Sequence, residues 1–80
     1  MMIQVRVAYF AILREHAGTA GEDVRTRAAT AAELFSELEK RHGFPRLPSL
    51  KVAINDEFRD WQTALADGDS IVFIPPVAGG

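Results

Sequence analysis

The 80-residue chain contains no cysteine. A disulfide framework, a thiolate-bound zinc, an iron–sulfur cluster, a cysteine nucleophile and a redox dithiol are therefore all excluded. Only two histidines are present, so a four-ligand metal site is not expected. Long apolar runs are missing too. The densest stretches, residues 7–13 and 71–77, fall far short of the ~20 residues a membrane-spanning helix needs. Met1 and Met2 are not followed by a basic segment and a long apolar core, so no signal peptide is expected and a cytoplasmic location is. Charge of one sign is also lacking. Nine basic and eleven acidic residues give a net charge of −2, and the longest basic run is the pair Lys40-Arg41. Nucleic-acid-binding domains concentrate positive charge on one face, so neither nucleic acid nor membrane is an expected partner.

What remains is ordinary for a folded domain: 48% hydrophobic and 25% charged residues. A chain this short makes one domain and buries only ~60% of its unfolded surface, so its core has to be efficient. Residues 2–10 alternate, with Ile3, Val5, Val7 and Tyr9 against Gln4, Arg6 and Ala8, which is the period of a half-buried strand. Phe10 falls on the face opposite Ile3 and Val5, a large apolar side chain at a polar register. Residues 11–17 read as a short helix stopped by Gly18. Residues 22–27 read as a second strand anchored by Val24, pairing antiparallel with the first.

Thr30-Ala31-Ala32-Glu33 has the spacing of a capping box, in which Thr30 accepts from the Glu33 N–H and Glu33 reaches back to the Thr30 N–H. The helix runs to about His42, with Leu34, Phe35 and Leu38 as its core stripe. Lys40, Arg41 and His42 suit the negative end of the helix dipole, and Gly43 ends it. Strands are expected over residues 50–54 and 70–74 and a short one over 58–61. Asn55-Asp56 and Asp67-Gly68-Asp69 read as turns. The order is an α+β layer architecture: a mixed sheet packed on one main helix plus a short helix. If the last strand lies parallel beside the first, the fold is the ubiquitin-like β-grasp; pattern alone leaves a ferredoxin-like arrangement open.

The expected domain covers residues 1–74, and residues 75–80 form a C-terminal tail, Pro75-Pro76-Val77-Ala78-Gly79-Gly80. Two prolines cannot continue a ladder and favour an extended chain. Six extended residues reach roughly 20 Å. Side chains shrink from Val77 through Ala78 to Gly79 and Gly80, as suits a segment threading another protein's narrow active site, where glycine lets backbone approach without a Cβ clash. Its reactive group is the Gly80 α-carboxylate. Ionised, it is a poor acyl donor, so chemistry there needs activation, most simply as an acyl-adenylate made from ATP by a separate enzyme. A sulfur donor would then leave a terminal thiocarboxylate. Without cysteine, the main-chain terminus is the one place this chain could carry transferable sulfur.

The run from Asp67 through Ile74 and Pro75-Pro76-Val77-Ala78-Gly79-Gly80 resembles the C-terminal signature of the small subunit of molybdopterin synthase, a family of sulfur carriers. Val7-Ala8-Tyr9-Phe10-Ala11-Ile12-Leu13-Arg14-Glu15 is similar to that family's first strand and short helix, and Val52-Ala53-Ile54-Asn55 to its middle strand and turn. Asp56 departs from the pattern, which often has an uncharged residue such as Gln there. The resemblance implies a β-grasp fold and a catalytic role for Gly80, adenylated by an E1-like enzyme using ATP and converted to thiocarboxylate through a sulfurtransferase pathway. The tail, Pro75 to Gly79, would thread the large synthase subunit, whose active site builds the dithiolene of molybdopterin within a heterotetramer. No permanently bound cofactor is expected, and the lack of cysteine and of further histidines makes no metal expected either. The resemblance also implies a partner interface at Phe10, Phe58 and Ile74, with Arg14 helping to dock the adenylating enzyme.

Other polar residues have plainer readings. His16 and His42 sit near helix ends. Asp67 and Asp69 belong to a turn rather than a calcium loop, and Gly18-Thr19-Ala20-Gly21 is a turn rather than an RNA-binding GXXG loop. Tyr9 and Trp61 are expected in core or rim packing. Three classes of function stay open: a sulfur carrier, for molybdopterin or for thiamine, tRNA thiolation or cysteine; a ubiquitin-like modifier joined to lysines; or an interaction module without tail chemistry.

Overall fold

The structure, a computed structural model, describes residues 1–75. Five strands and two helices follow in the order β1 (Ile3–Tyr9), α1 (Ala11–Ala17), β2 (Gly21–Thr26), α2 (Ala31–His42), β3 (Lys51–Ile54), β4 (Glu57–Arg59) and β5 (Ser70–Ile74). The sheet order is β2-β1-β5-β3-β4. β1 pairs antiparallel with β2 and parallel with β5, while β3 is antiparallel to both β4 and β5. A parallel central pair with hairpins on its flanks is the β-grasp topology, which excludes the ferredoxin-like alternative.

The alternation in β1 does what its period dictates: Val5, Val7 and Tyr9 are buried and Gln4 and Arg6 exposed. They meet Leu34 and Leu38 of α2, Leu13 of α1, and Ile71 and Phe73 of β5 in one core. Each such buried side chain contributes about 1.5–3 kcal/mol. Phe35 stacks on Phe44 and sets its ring edge against Phe73 and Trp61. Trp61 lies parallel to Phe73 at 5.9 Å.

The start of α2 is tied down at every early donor. Thr30 Oγ1 accepts from the Glu33 N–H at 3.3 Å, and the Ala31 and Ala32 N–H groups donate to the carbonyls of Thr63 and Trp61, satisfying the first-turn donors a helix leaves open. Glu33 does not close the expected box on Thr30. Its carboxylate accepts from the Ala29 N–H at 2.9 Å, one residue earlier. Gly18 and Gly43 end the two helices in the left-handed region, at φ 75° and 68°.

Strand boundaries shift slightly from the sequence reading. β2 runs one residue earlier than 22–27, β3 starts at Lys51 rather than 50, and β4 ends at Arg59 rather than 61. The β4 end has a clear cause: the Asp60 carboxylate accepts from the Gln62 N–H at 2.6 Å and the Asp60 carbonyl from the Thr63 N–H, which turns the chain away from the sheet. Asn55 and Asp56, at φ 53° and 70°, form the tight β3–β4 connection, whose two left-handed positions match a type I′ turn. Asp67-Gly68-Asp69 is a turn as expected. Its carboxylates accept from the backbone of Gln4 and Ala66 and from the Asn55 amide.

Candidate functional site

A strand has two faces, and the one turned from α2 is the candidate site. The register lays a row of small residues across it: Gly21 of β2, Ala8 of β1, Val72 of β5 and Ala53 of β3, ending at Phe58 of β4. Ala53 is only 7% exposed, whereas Phe58 is 69% exposed. Small side chains along the row give a shallow apolar surface with one aromatic ring standing at its edge. Gly21 has no latitude for a side chain, since a Cβ there would come 2.9 Å from the Val7 carbonyl oxygen.

One register step toward the end of β5, Ile74 pairs with Lys51 of β3. Continuing the parallel register past Tyr9–Phe73 sets Phe10 on the other side of Ile74. Phe10 is the N-cap of α1, extended at φ −123°, and 50% exposed. Ala11 follows in the left-handed region at φ 52°, so the chain turns sharply into α1 and leaves the Phe10 ring outside the core. One step the other way the face turns polar: Arg6 pairs with Asp23 at 3.3 Å, and Asn55 Oδ1 accepts from the Ser70 N–H. The half next to the end of β5 carries the apolar side chains, with Lys51 at its margin.

The fold thus brings Phe10, Ile74 and Phe58 onto one face. Arg14 is exposed on α1, its N–H donating to the Phe10 carbonyl at 3.4 Å. Pro75 follows Ile74 outside any element, where its missing N–H ends ladder pairing. Pro76, Val77, Ala78, Gly79 and Gly80 lie outside the described residues.

Two features carry no sequence signal of their own. Lys51 beside Ile74 emerges only from strand register. The other is a polar cluster behind the face. Tyr9 is buried, as expected for core packing, but its hydroxyl donates to Glu22 Oε2 at 2.6 Å, and His42 Nε2 lies 2.7 Å from the same oxygen. Burial raises the Glu22 carboxyl, yet the hydrogen bonds from Tyr9 and His42 and the nearby charges of His42 and Arg41 outweigh it and hold its pKa below 4.5, the ordinary value. Burial first, then the bond to Glu22, pushes the Tyr9 phenol far above its usual range. The cluster fastens edge strand β2 to the last turn of α2.

A β-grasp domain with an apolar half-face at the end of its last strand defines a class of small carrier and modifier proteins, and the comparisons with known proteins fall within it. Residues 7–80 match the ThiS family, and the chain belongs to that family of β-grasp sulfur carriers. It is 36% identical to the molybdopterin synthase sulfur carrier subunit of Mycobacterium tuberculosis, over 99% of this chain and all of that protein. The structure resembles a chain in the complex of subunits 1 and 2 of the molybdopterin-converting factor from Helicobacter pylori, at 32% identity and a TM-score of 0.66, covering 98% of this chain and 100% of that one. It is also similar to small archaeal modifier protein 1 of Methanosarcina acetivorans, at 25% identity and a TM-score of 0.81, covering 100% and 99%. No helix among the described residues is long and apolar enough to cross a membrane.

Proposed function

We propose that this protein is the sulfur-donating small subunit of a molybdopterin synthase. An E1-like enzyme transfers AMP from ATP to the Gly80 carboxylate, releasing pyrophosphate. A sulfide-level donor from a sulfurtransferase pathway attacks the acyl carbon and displaces AMP, leaving a thiocarboxylate. The tail then enters the large synthase subunit, where its one sulfur passes to the pterin precursor and water restores the Gly80 carboxylate, so two charged chains supply the two sulfurs of the dithiolene. The active site belongs to the large subunit; this chain supplies the sulfur and the docking face.

The observation that carries this reading is the meeting of an apolar half-face with the end of β5. The described chain leaves the middle strand of the sheet at Ile74 and Pro75, beside Phe10 and on the face that carries Phe58, and we read a protein that buries this face as also receiving the Gly80 terminus. Full-length similarity to a curated molybdopterin synthase sulfur carrier supports this pathway. Reconstitution with the large subunit and pterin precursor tests it: molybdopterin is expected only when Gly80 carries the thiocarboxylate, and none would form if the pathway is another.

The likeness to an archaeal modifier protein favours a second reading, in which Gly80 becomes amide-linked to lysines. Intact-mass spectrometry of protein from its own host separates the two. The carrier shows one oxygen replaced by sulfur, and the modifier shows conjugates on other proteins.

A further inference from the structure

Strand β2 is an outer strand of the sheet, and such an edge offers main-chain groups for pairing. Which groups face outward follows from the ladder. The Tyr9 N–H donates to the Ala20 carbonyl, whereas the Arg6 N–H turns the other way, to the carbonyl of Asp69 just before β5. The odd-numbered residues of β1 therefore bond toward β2, where Val7 meets Glu22, Val5 meets Val24 and Ile3 meets Thr26. The N–H and carbonyl groups of Gly21, Asp23 and Arg25 point away from the sheet. Thr19 closes the first of these positions, its hydroxyl donating to the Gly21 carbonyl at 2.9 Å and accepting from the Gly21 N–H at 3.4 Å. Asp23 and Arg25 remain, and no described residue bonds to their outward main-chain groups.

An antiparallel partner has to set its own outward groups against these. A second copy of β2 can do so with the twofold axis at Asp23, at Val24 or at Arg25. The first register opposes two aspartates and the third two arginines, and like charges directly opposite destabilise a ladder. The register centred on Val24 sets Asp23 of each copy against Arg25 of the other. Both side chains share the parity of Gly21, so they stand on the open face, and both are exposed. Charges on an edge strand ordinarily discourage pairing. Alternating in sign, these discourage the wrong registers and match their own copy.

We propose that β2 is a self-association edge: two copies pair antiparallel about Val24 into one continuous sheet, held by the main-chain groups of Asp23 and Arg25 and by reciprocal Asp23–Arg25 ion pairs. The twofold axis then stands perpendicular to the sheet, and both open faces lie on one side. In each copy β1 and β2 separate β5 from the axis, so this pairing leaves Phe10, Ile74 and Phe58 uncovered. Self-association is therefore compatible with docking of the apolar half-face and does not depend on the chemistry at Gly80. So short an edge covers less than the ~1,600 Å² of a standard interface, and the dimer is weak, with a Kd on the order of 0.1–1 mM.

Sedimentation equilibrium and backbone-amide NMR of the full chain at low salt, from about 20 μM to about 1 mM, test the pairing. Wild type is expected to gain mass with concentration, with shift changes and slowed amide exchange centred on Asp23 and Arg25. Arg25→Asp opposes like charges in all three registers and is expected to weaken association about tenfold. Exchanging the two residues, Asp23→Arg with Arg25→Asp, restores opposite charges across the axis and should return association to within about threefold of wild type. Circular dichroism and melting temperature verify that each variant is folded. A wild-type chain monomeric throughout, an Arg25→Asp chain that associates like wild type, or a folded exchange variant that stays as weak as Arg25→Asp would overturn the proposal. Concentration-dependent shifts centred on Phe10, Ile74 and Phe58 would overturn it as well, by assigning self-association to the apolar half-face.

Discussion

Tyr9 and Glu22 are joined by a 2.6 Å hydrogen bond from phenol to carboxylate, linking the end of β1 to the edge strand β2 beside it. His42 reaches the same oxygen from the last turn of α2, so three separate elements converge on one partly buried acid. Removing the phenol hydroxyl in Tyr9→Phe leaves that acid short of a donor. The cost is expected to be about 1–2 kcal/mol, read as a melting temperature lower by roughly 5–10 °C for a domain of this size.

The same cluster predicts a pH dependence. Glu22 has a lowered pKa in the folded chain, so its contribution to stability is present above its unfolded value and is lost as pH falls through the folded one. Glu22→Gln should therefore be less stable than wild type near neutrality, and the gap should close on acidification below 4.5. Urea unfolding across the acid range measures this. A gap that stays constant, or widens in acid, would contradict the assigned bonding.

Gly21 opens β2 and pairs with Ala8 of β1. Its substitution by alanine puts a methyl 2.9 Å from the Val7 carbonyl oxygen, a backbone atom that cannot swing aside. Gly21→Ala is expected to cost about 1–3 kcal/mol through displacement of β2, measurable by denaturant midpoint.

Asp56 holds a left-handed conformation in the two-residue turn between β3 and β4. Glycine adopts that conformation without the Cβ penalty and is favoured in such turns. Relief of a left-handed penalty of about 1–2 kcal/mol, partly offset by the greater chain entropy glycine loses on folding, is expected to make Asp56→Gly more stable than wild type, read as a higher denaturant midpoint with activity unchanged.

Phe58 separates folding from docking. With 69% of its surface exposed, Phe58→Ser should change stability by less than about 0.5 kcal/mol. The same substitution removes the one large ring at the β4 edge of the apolar row, and binding to the large synthase subunit is expected to weaken about tenfold or more. Equal losses of stability and binding would place Phe58 in the fold rather than the interface.

Much of the fold was legible because its signals are local. The alternation of Val5, Val7 and Tyr9, the Thr30 cap, and the glycines after both helices each act within a few residues. The ends of β4 and the partner of Glu33 were not, because they depend on Asp60 and Ala29 finding donors and acceptors in three dimensions. The same distinction governs the site. Phe10 announced itself by breaking the parity of β1, and its place beside Ile74 on the open face accounts for that. Lys51 and the Tyr9–Glu22–His42 cluster were silent, since residues up to 33 positions apart are brought together only by strand register and helix docking. The row of Ala8, Val72 and Ala53 lies between these cases, visible as small residues at alternate positions but meaningful only once the strand order is known.

The central claim is that Gly80 carries sulfur. The most direct measurement incubates the chain with the adenylating enzyme, ATP and a sulfur donor and records its intact mass, beside a version extended by one residue after Gly80. The account predicts that the native chain gains the mass of one oxygen replaced by one sulfur, localised to Gly80, and that the extended chain folds but gains nothing. An unchanged native chain, or equal sulfur on both, would contradict it.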